Sequence, residues 1–107
     1  MNPWQVEFTI EAEKDREALT RTQRLQVDKA IYKVSQNPLP QGEGGYGKPL
    51  GNKRSTNLTG LLKIKLVKLG IRVVYKVIRT EEVMKIIVVA ARADDEVYEI
   101  ANRRIDK

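Results

Sequence analysis

Lys63 and Lys65 alternate with apolar residues in Leu62-Lys63-Ile64-Lys65-Leu66, and Arg72, Lys76 and Arg92 follow. Cations gathered without an acid among them hold phosphates and stabilise negative charge that develops on them. The gathering is regional. Between Lys48 and Arg79 there are nine Lys or Arg and no Asp or Glu. The other 75 positions hold 11 basic and 14 acidic residues, so the net charge of +6 comes from one patch. With no His and no Cys in the chain, disulfides, thiolate or histidine metal sites, Ser-His nucleophiles and histidine acid–base pairs are excluded. Proton transfer falls to Lys, Arg, Tyr, Asp or Glu. A lysine serves as a base only if its pKa drops from about 10.4, and crowded cations push it that way. Lys65, flanked by Lys63 and near Arg72, is the better-placed base; Lys63 is mainly electrostatic.

Strands must position these groups. Side chains alternate faces along a strand, so Lys63 and Lys65 point away from Leu62, Ile64 and Leu66. In Ile71 to Arg79, Arg72 and Lys76 share one face, and Ile71, Val73, Tyr75 and Val77 the other. A tight hairpin around Leu69-Gly70 sets odd residues of the first strand against even residues of the second. Lys63, Lys65, Arg72 and Lys76 then share a face. Like charges opposite one another cost about 0.2–1 kcal/mol per pair, which a sequence selected for folding alone would avoid by interleaving acids. The bland alternative is a solvated outer face of snorkelling lysines. The third strand, Val83 to Ala91, returns antiparallel, so Arg92 emerges near Arg72. Tyr98 follows in the first turns of the last helix, where taken alone it reads as a rim core aromatic. As a group, the cations and the phenol could bind and polarise an RNA phosphate.

The rest of the chain supplies the frame. Its 107 residues predict one domain with one modest core. Trp4, Val6, Phe8 and Ile10 alternate with polar residues as in a half-buried strand. Glu11 to Leu19 reads as a short helix, and Thr20 and Thr22 are candidate N-caps for a second. Val27, Ala30, Ile31 and Val34 give that helix a core stripe, and Asn37-Pro38 ends it. Residues 37–60 read as a long Gly/Pro-rich irregular segment, with an edge strand near Lys48-Pro49-Leu50. Strands at Leu61 to Val67, Ile71 to Arg79 and Val83 to Ala91 form an antiparallel meander. The third, apolar nearly throughout, is central and covered on both faces. Asp94 or Asp95 caps a final helix, with Arg103, Arg104 and Lys107 at its dipole-favoured end. The expectation is an α+β domain: an antiparallel sheet with an N-terminal helical hairpin on one face and a short C-terminal helix. No signal-peptide pattern and no apolar run of the ~20 residues that span a bilayer is present, so the expected location is cytoplasmic.

The stretch LTGLLKIKLVKLGIRVVYKVIRTEEVMKIIVVAARADDEVY resembles the RelE branch of the RelE/ParE toxin superfamily. The Gly-x-Arg-x-Val-Tyr strand is shared across the superfamily. The Lys-x-Lys pair with Arg92 and Tyr98 is more specific to ribosome-dependent mRNA endonucleases. The resemblance implies a single toxin domain over 1–107 and a metal-independent, cofactor-free endoribonuclease of type II toxin–antitoxin systems that inhibits translation under stress. It implies that Lys63 and Lys65 are the catalytic lysines and Arg72 the transition-state arginine. Arg92 is implied as proton donor to the leaving group, and Tyr98 as the residue that orients or stacks on substrate. Lys53, Arg54, Lys68 and Lys76 are the further cations expected to meet RNA. The implied partners are a cognate antitoxin that wraps the toxin in a hetero-oligomer, the ribosomal A site, mRNA and rRNA. The sequence departs from the family at Asp94 and Asp95, where related toxins are often more basic, and in the long glycine loop. Two other readings use the same surface. A ParE-like DNA gyrase inhibitor needs the fold but not the Lys/Lys/Arg/Tyr cluster. A non-catalytic RNA-binding module needs the patch but leaves Arg92 and Tyr98 without work.

Overall fold

Period-two alternation ends at Phe8, and the first strand, β1, is Gln5–Phe8. The computed structural model describes residues 3–53 and 56–105, with the backbone alone for 51–53 and 56–59. Ile10 does not extend the strand: it opens helix α1 (Ile10–Glu17) and is 78% exposed. Thr9 sets this boundary, because its side chain accepts the Ala12 N–H at 3.0 Å as an N-cap. Of the two threonines that could cap α2 (Arg21–Ser35), Thr20 does so, in a reciprocal capping box with Gln23. Arg16 donates to both oxygens of Asp28 at 2.8 and 2.6 Å, tying the hairpin together.

The segment 37–60 is more ordered than its composition implies. A 3-10 turn spans Gln41–Glu43, β2 is Lys48–Lys53, and β3 begins at Thr56 and runs to Leu66. Tyr46 N–H donates to the Asn37 carbonyl, Gln41 N–H to Gly47, and Arg79 forks onto Glu43. The buried Tyr75 hydroxyl donates to the Pro38 carbonyl at 2.8 Å. It lies where a Cβ on Gly47 would sit, so this position admits glycine alone.

β3 is followed by β4 (Ile71–Ile78), β5 (Val83–Ala90) and α3 (Asp94–Ile105). The sheet order is β1-β5-β4-β3-β2. β3, β4 and β5 form the expected meander, but β1 pairs parallel with β5, so the sheet is mixed rather than antiparallel. Hairpin logic applies only to neighbours in sequence, and β1 reaches β5 across the rest of the fold. This placement makes β5 an interior strand, with β4 at the middle of the sheet. One core cluster lies under α1 and α2, and holds Ile71, Val73, Tyr75, Met84 and Ile86. The other lies under α3, and holds Leu61, Val74, Ile87, Val88, Val97 and Tyr98.

A bulge in β5 sets the geometry of the site. Val74 pairs with Val88 and Tyr75 with Ile86, leaving Ile87 extra. Ile87 and Val88 therefore both join the α3 cluster, and Ala90 comes to stand opposite Arg72. The bulge brings Arg92 to two residues past Arg72's partner, on the same face. Past the end of β1, the outer edge of β5 is closed by side chains. Arg104 donates to the Ile87 carbonyl at 2.8 Å and to Asp15 at 2.7 Å, and Asp15 accepts the Val89 N–H at 3.0 Å. Arg104 thus does more than answer a helix dipole: it fastens α3 to α1 and β5. Lys107 lies outside the described residues.

Candidate active site

The β3–β4 register places the cations. Residues 67–70 connect the strands, with Gly70 left-handed at φ 66°, where a side chain is strained. Lys65 then pairs with Arg72, and Lys63 with Val74. Lys63, Lys65 and Arg72 share the α3 face of the sheet, as parity requires. Arg92 follows β5 to the same end, where its carbonyl accepts a hydrogen bond from Arg72 Nη1 at 2.7 Å.

α3 lays its first two turns across this cluster. Lys63 Nζ donates to the Tyr98 hydroxyl at 2.7 Å and stands 5.5 Å from the ring centroid. Tyr98 is thus a core aromatic of the α3 cluster by its ring and a site residue by its hydroxyl. Arg92 faces Glu96 at 3.4 Å. Arg72 Nε is ion-paired with Asp94, the first residue of α3, and Arg72 Nη1 also reaches the Gly70 carbonyl at 3.4 Å. Burial pushes the Asp94 carboxyl up. The hydrogen bond from Arg72, then the charges of Lys63, Arg72 and Lys65, outweigh it and hold the carboxyl below its usual range. Lys65 is exposed and has no hydrogen-bond or ion-pair partner among the described residues.

Lys63, Lys65, Arg72 and Tyr98 are thus brought together at one end of the sheet, and Arg92 joins them by its backbone carbonyl while its guanidinium faces Glu96. The expected outer RNA contacts divide. Lys76 lies exposed on the same face, opposite Leu61 and Lys85. Lys68 instead lines a groove with Thr22 and Gln26 on the α2 side, because the 3-10 turn Val67–Leu69 swings it off the strand's alternation. The Lys53 side chain and Arg54 lie outside the described residues. Sequence reasoning missed Lys48, which pairs across from Lys63, and Lys85, which pairs across from Lys76. The hairpin after β4 could have located Lys85. Lys48 depends on a register shift in β2 that the sequence does not announce. Asp94 was visible as a helix-start acid, but not as a partner of Arg72.

This end of the sheet can hold a phosphate between lysines and guanidinium groups, with a hydroxyl beside it. No protein-family model matches the chain, and no curated protein matches its sequence. Solved structures do. The isolated RelE toxin of Escherichia coli is 30% identical, with a TM-score of 0.68, over 95% of this chain and 98% of that one. A mutant of the same toxin in the free state aligns with a TM-score of 0.73 at 29% identity, over 97% of this chain and 99% of that one. A chain of the toxin–antitoxin complex RelBE2 from Mycobacterium tuberculosis aligns with a TM-score of 0.67 at 27% identity, over 88% and 97%. The mixed sheet, the hairpin on one face and the C-terminal helix on the other match the RelE fold throughout. By this identity over nearly its full length, the chain belongs to the RelE family of toxins.

Proposed function

We propose that this protein is the toxin half of a type II toxin–antitoxin pair and acts as a ribosome-dependent mRNA endonuclease. The observation that supports the reading is the grouping of Lys63, Lys65, Arg72 and Tyr98 at one end of the sheet, with the Arg92 backbone against Arg72. A gyrase-directed toxin has no use for that cluster. Lys65, as the free amine, takes the proton of a ribose 2′-OH. The 2′ oxygen attacks the adjacent phosphorus, and the bond to the 5′ oxygen breaks. Lys63 and Arg72 stabilise the charge that builds on the non-bridging oxygens. Arg92 gives a proton to the departing 5′ oxygen, so the products are a 2′,3′-cyclic phosphate and a 5′-OH. Tyr98 holds Lys63 and orients the substrate. Every proton moved belongs to the chain or the RNA, and no cofactor enters.

The site is open at Lys65 and Arg92 and has no histidine acid–base pair. Activity on free RNA should therefore be weak, with the ribosomal A site holding the 2′-OH in line with the phosphorus. Lys76 and the basic residues toward Lys53 and Arg54 extend the surface for mRNA and rRNA, and Lys68 meets RNA only if it follows the hairpin tip. A surface of this charge also fits an acidic or amphipathic antitoxin segment that folds as it wraps the toxin, and similar solved toxins occur in complex with antitoxins. The cytoplasm is the compartment in which such a toxin acts. Brief induction followed by primer extension on cellular mRNA tests the reading. Cuts within codons are expected; intact mRNA with accumulating DNA breaks would point to a gyrase poison.

A further inference from the structure

Asp94 has no place in the mechanism above, yet it is the acid in direct contact with Arg72, a half-buried cation of the site. The Arg72 side chain is 17% exposed and that of Asp94 is 36% exposed. A guanidinium presents two edges for two-point recognition of a phosphate, Nε with Nη2 and Nη1 with Nη2. In Arg72 each edge already has one nitrogen engaged. Asp94 holds Nε, the carbonyls of Arg92 and Gly70 hold Nη1, and Nη2 has no hydrogen-bond partner among the described residues. The two carbonyls are fixed by the backbone that ends β5 and turns at Gly70. Asp94 is a side chain on the first turn of α3, with solvent beside it. It is the occupant that can leave.

We infer that Asp94 is an internal competitor for the substrate phosphate: its carboxylate occupies the Nε edge of Arg72 in the resting protein and must swing away for a phosphate to take that edge. The inference rests on the proposed reading of the cluster as a phosphate site. It assigns this chain a resting state in which α3 answers three of the four cations: Asp94 on Arg72, Glu96 on Arg92 and Tyr98 on Lys63. Lys65 alone of the four is left open among the described residues, so a phosphate would meet Lys65 first and displace Asp94 second. The carboxylate lowers affinity for any phosphate, and the toll is the same wherever the substrate comes from.

The test is titration of the intact protein with inorganic phosphate, followed by NMR at the Arg72 Nε–H. Asp94→Asn keeps the shape and removes the charge; Asp94→Ser is a second variant should the first disturb α3. Either should bind phosphate about tenfold more tightly than the parent, since a charge-assisted pair no longer competes. Glu99→Gln removes the same charge from an exposed position on α3 and should bind as the parent does. Adding Arg72→Ala to Asp94→Asn should abolish the gain. Phosphate binding equal to or weaker than the parent in both Asp94 variants would overturn the inference, because Asp94 would then be orienting Arg72 rather than occupying it. The same proteins on programmed ribosomes separate the two claims. A phosphate gain with no cleavage by any form sinks the nuclease reading and leaves the competition standing. Cleavage by the parent with no phosphate gain does the reverse.

Discussion

Two Arg–Asp pairs anchor α3, one at each end; both arginines are 17% exposed and donate to a backbone carbonyl, and the pairs differ in the charge that surrounds them. Arg104 and Asp15 are 17% and 21% exposed, and the pair also satisfies a carbonyl and an N–H on the uncovered edge of β5. Each charge there has its counter-charge and each backbone group its partner. Arg72 and Asp94 stand among Lys63, Lys65 and Arg92, in a charge surplus that no fold requires. The first arrangement is what stability selects. The second carries like charges across the β3–β4 ladder, at Lys65 and Arg72, at a cost to stability that no structural contact requires.

The largest expected effect separates the two ends by activity. Arg72→Ala should slow cleavage of ribosome-bound mRNA by about 100- to 1,000-fold, the usual cost of losing one fixed donor to a developing oxyanion. Its unfolding free energy should move by less than about 1 kcal/mol, because the pair it breaks is partly solvated and repulsion with Lys65 is relieved. Arg104→Met should do the opposite. It leaves Asp15 and the Ile87 carbonyl short of partners, and should cost about 2–4 kcal/mol in urea unfolding, while the folded fraction cleaves at the parental rate. Equal stability losses at the two ends would erase the distinction.

Arg92→Ala sharpens the comparison within the site. With its side chain exposed, Arg92 contributes little to the core, so folding and antitoxin binding should be nearly unchanged while cleavage falls by about 10- to 100-fold. A 5′-thio leaving group needs no proton, and with that substrate the Arg92→Ala defect should shrink while the Lys65→Ala defect does not. The smallest effect is one of pH. The Asp94 carboxyl is held below its usual range, so its pairing contributes fully above about pH 4, the ordinary aspartate value. It is lost as pH falls through the lower folded value. Amide shifts of Val97 and Tyr98 should report a loosening of the first turns of α3 below about pH 4, worth under about 1 kcal/mol given the exposure of Asp94. Loosening that begins near neutral pH would assign the attachment to another group.

What the sequence disclosed follows the range of the rules it obeys. Parity along β3 and β4 is a local property, and it placed Lys63, Lys65, Arg72 and Lys76 on one face with no help from the rest of the chain. The antiparallel return to Arg92 needed only a short connection after β4. The parallel pairing of β1 with β5 depended on contacts remote in sequence, whereas the stop at Thr9 is a local N-cap masked by the alternation that runs on to Ile10. The bulge at Ile87 is hidden because an apolar run such as Val83–Ala90 looks alike on both faces. Asp94 was legible as a helix-start acid favoured by the dipole. Its turn onto Arg72 follows from how α3 crosses the sheet, with Val97, Tyr98 and Ala101 in the core and Arg104 held at the helix's far end.

The central claim is that the surplus of cations under the start of α3 is catalytic. The most direct measurement is single-turnover cleavage of mRNA in the A site of programmed ribosomes by the parent, Lys65→Ala and Arg104→Met, each shown folded at the assay temperature. Cuts within the A-site codon are expected from the parent and from folded Arg104→Met at equal rates, with cleavage slowed at least about 100-fold in Lys65→Ala. Parental cleavage by Lys65→Ala would show that the cations are not catalytic.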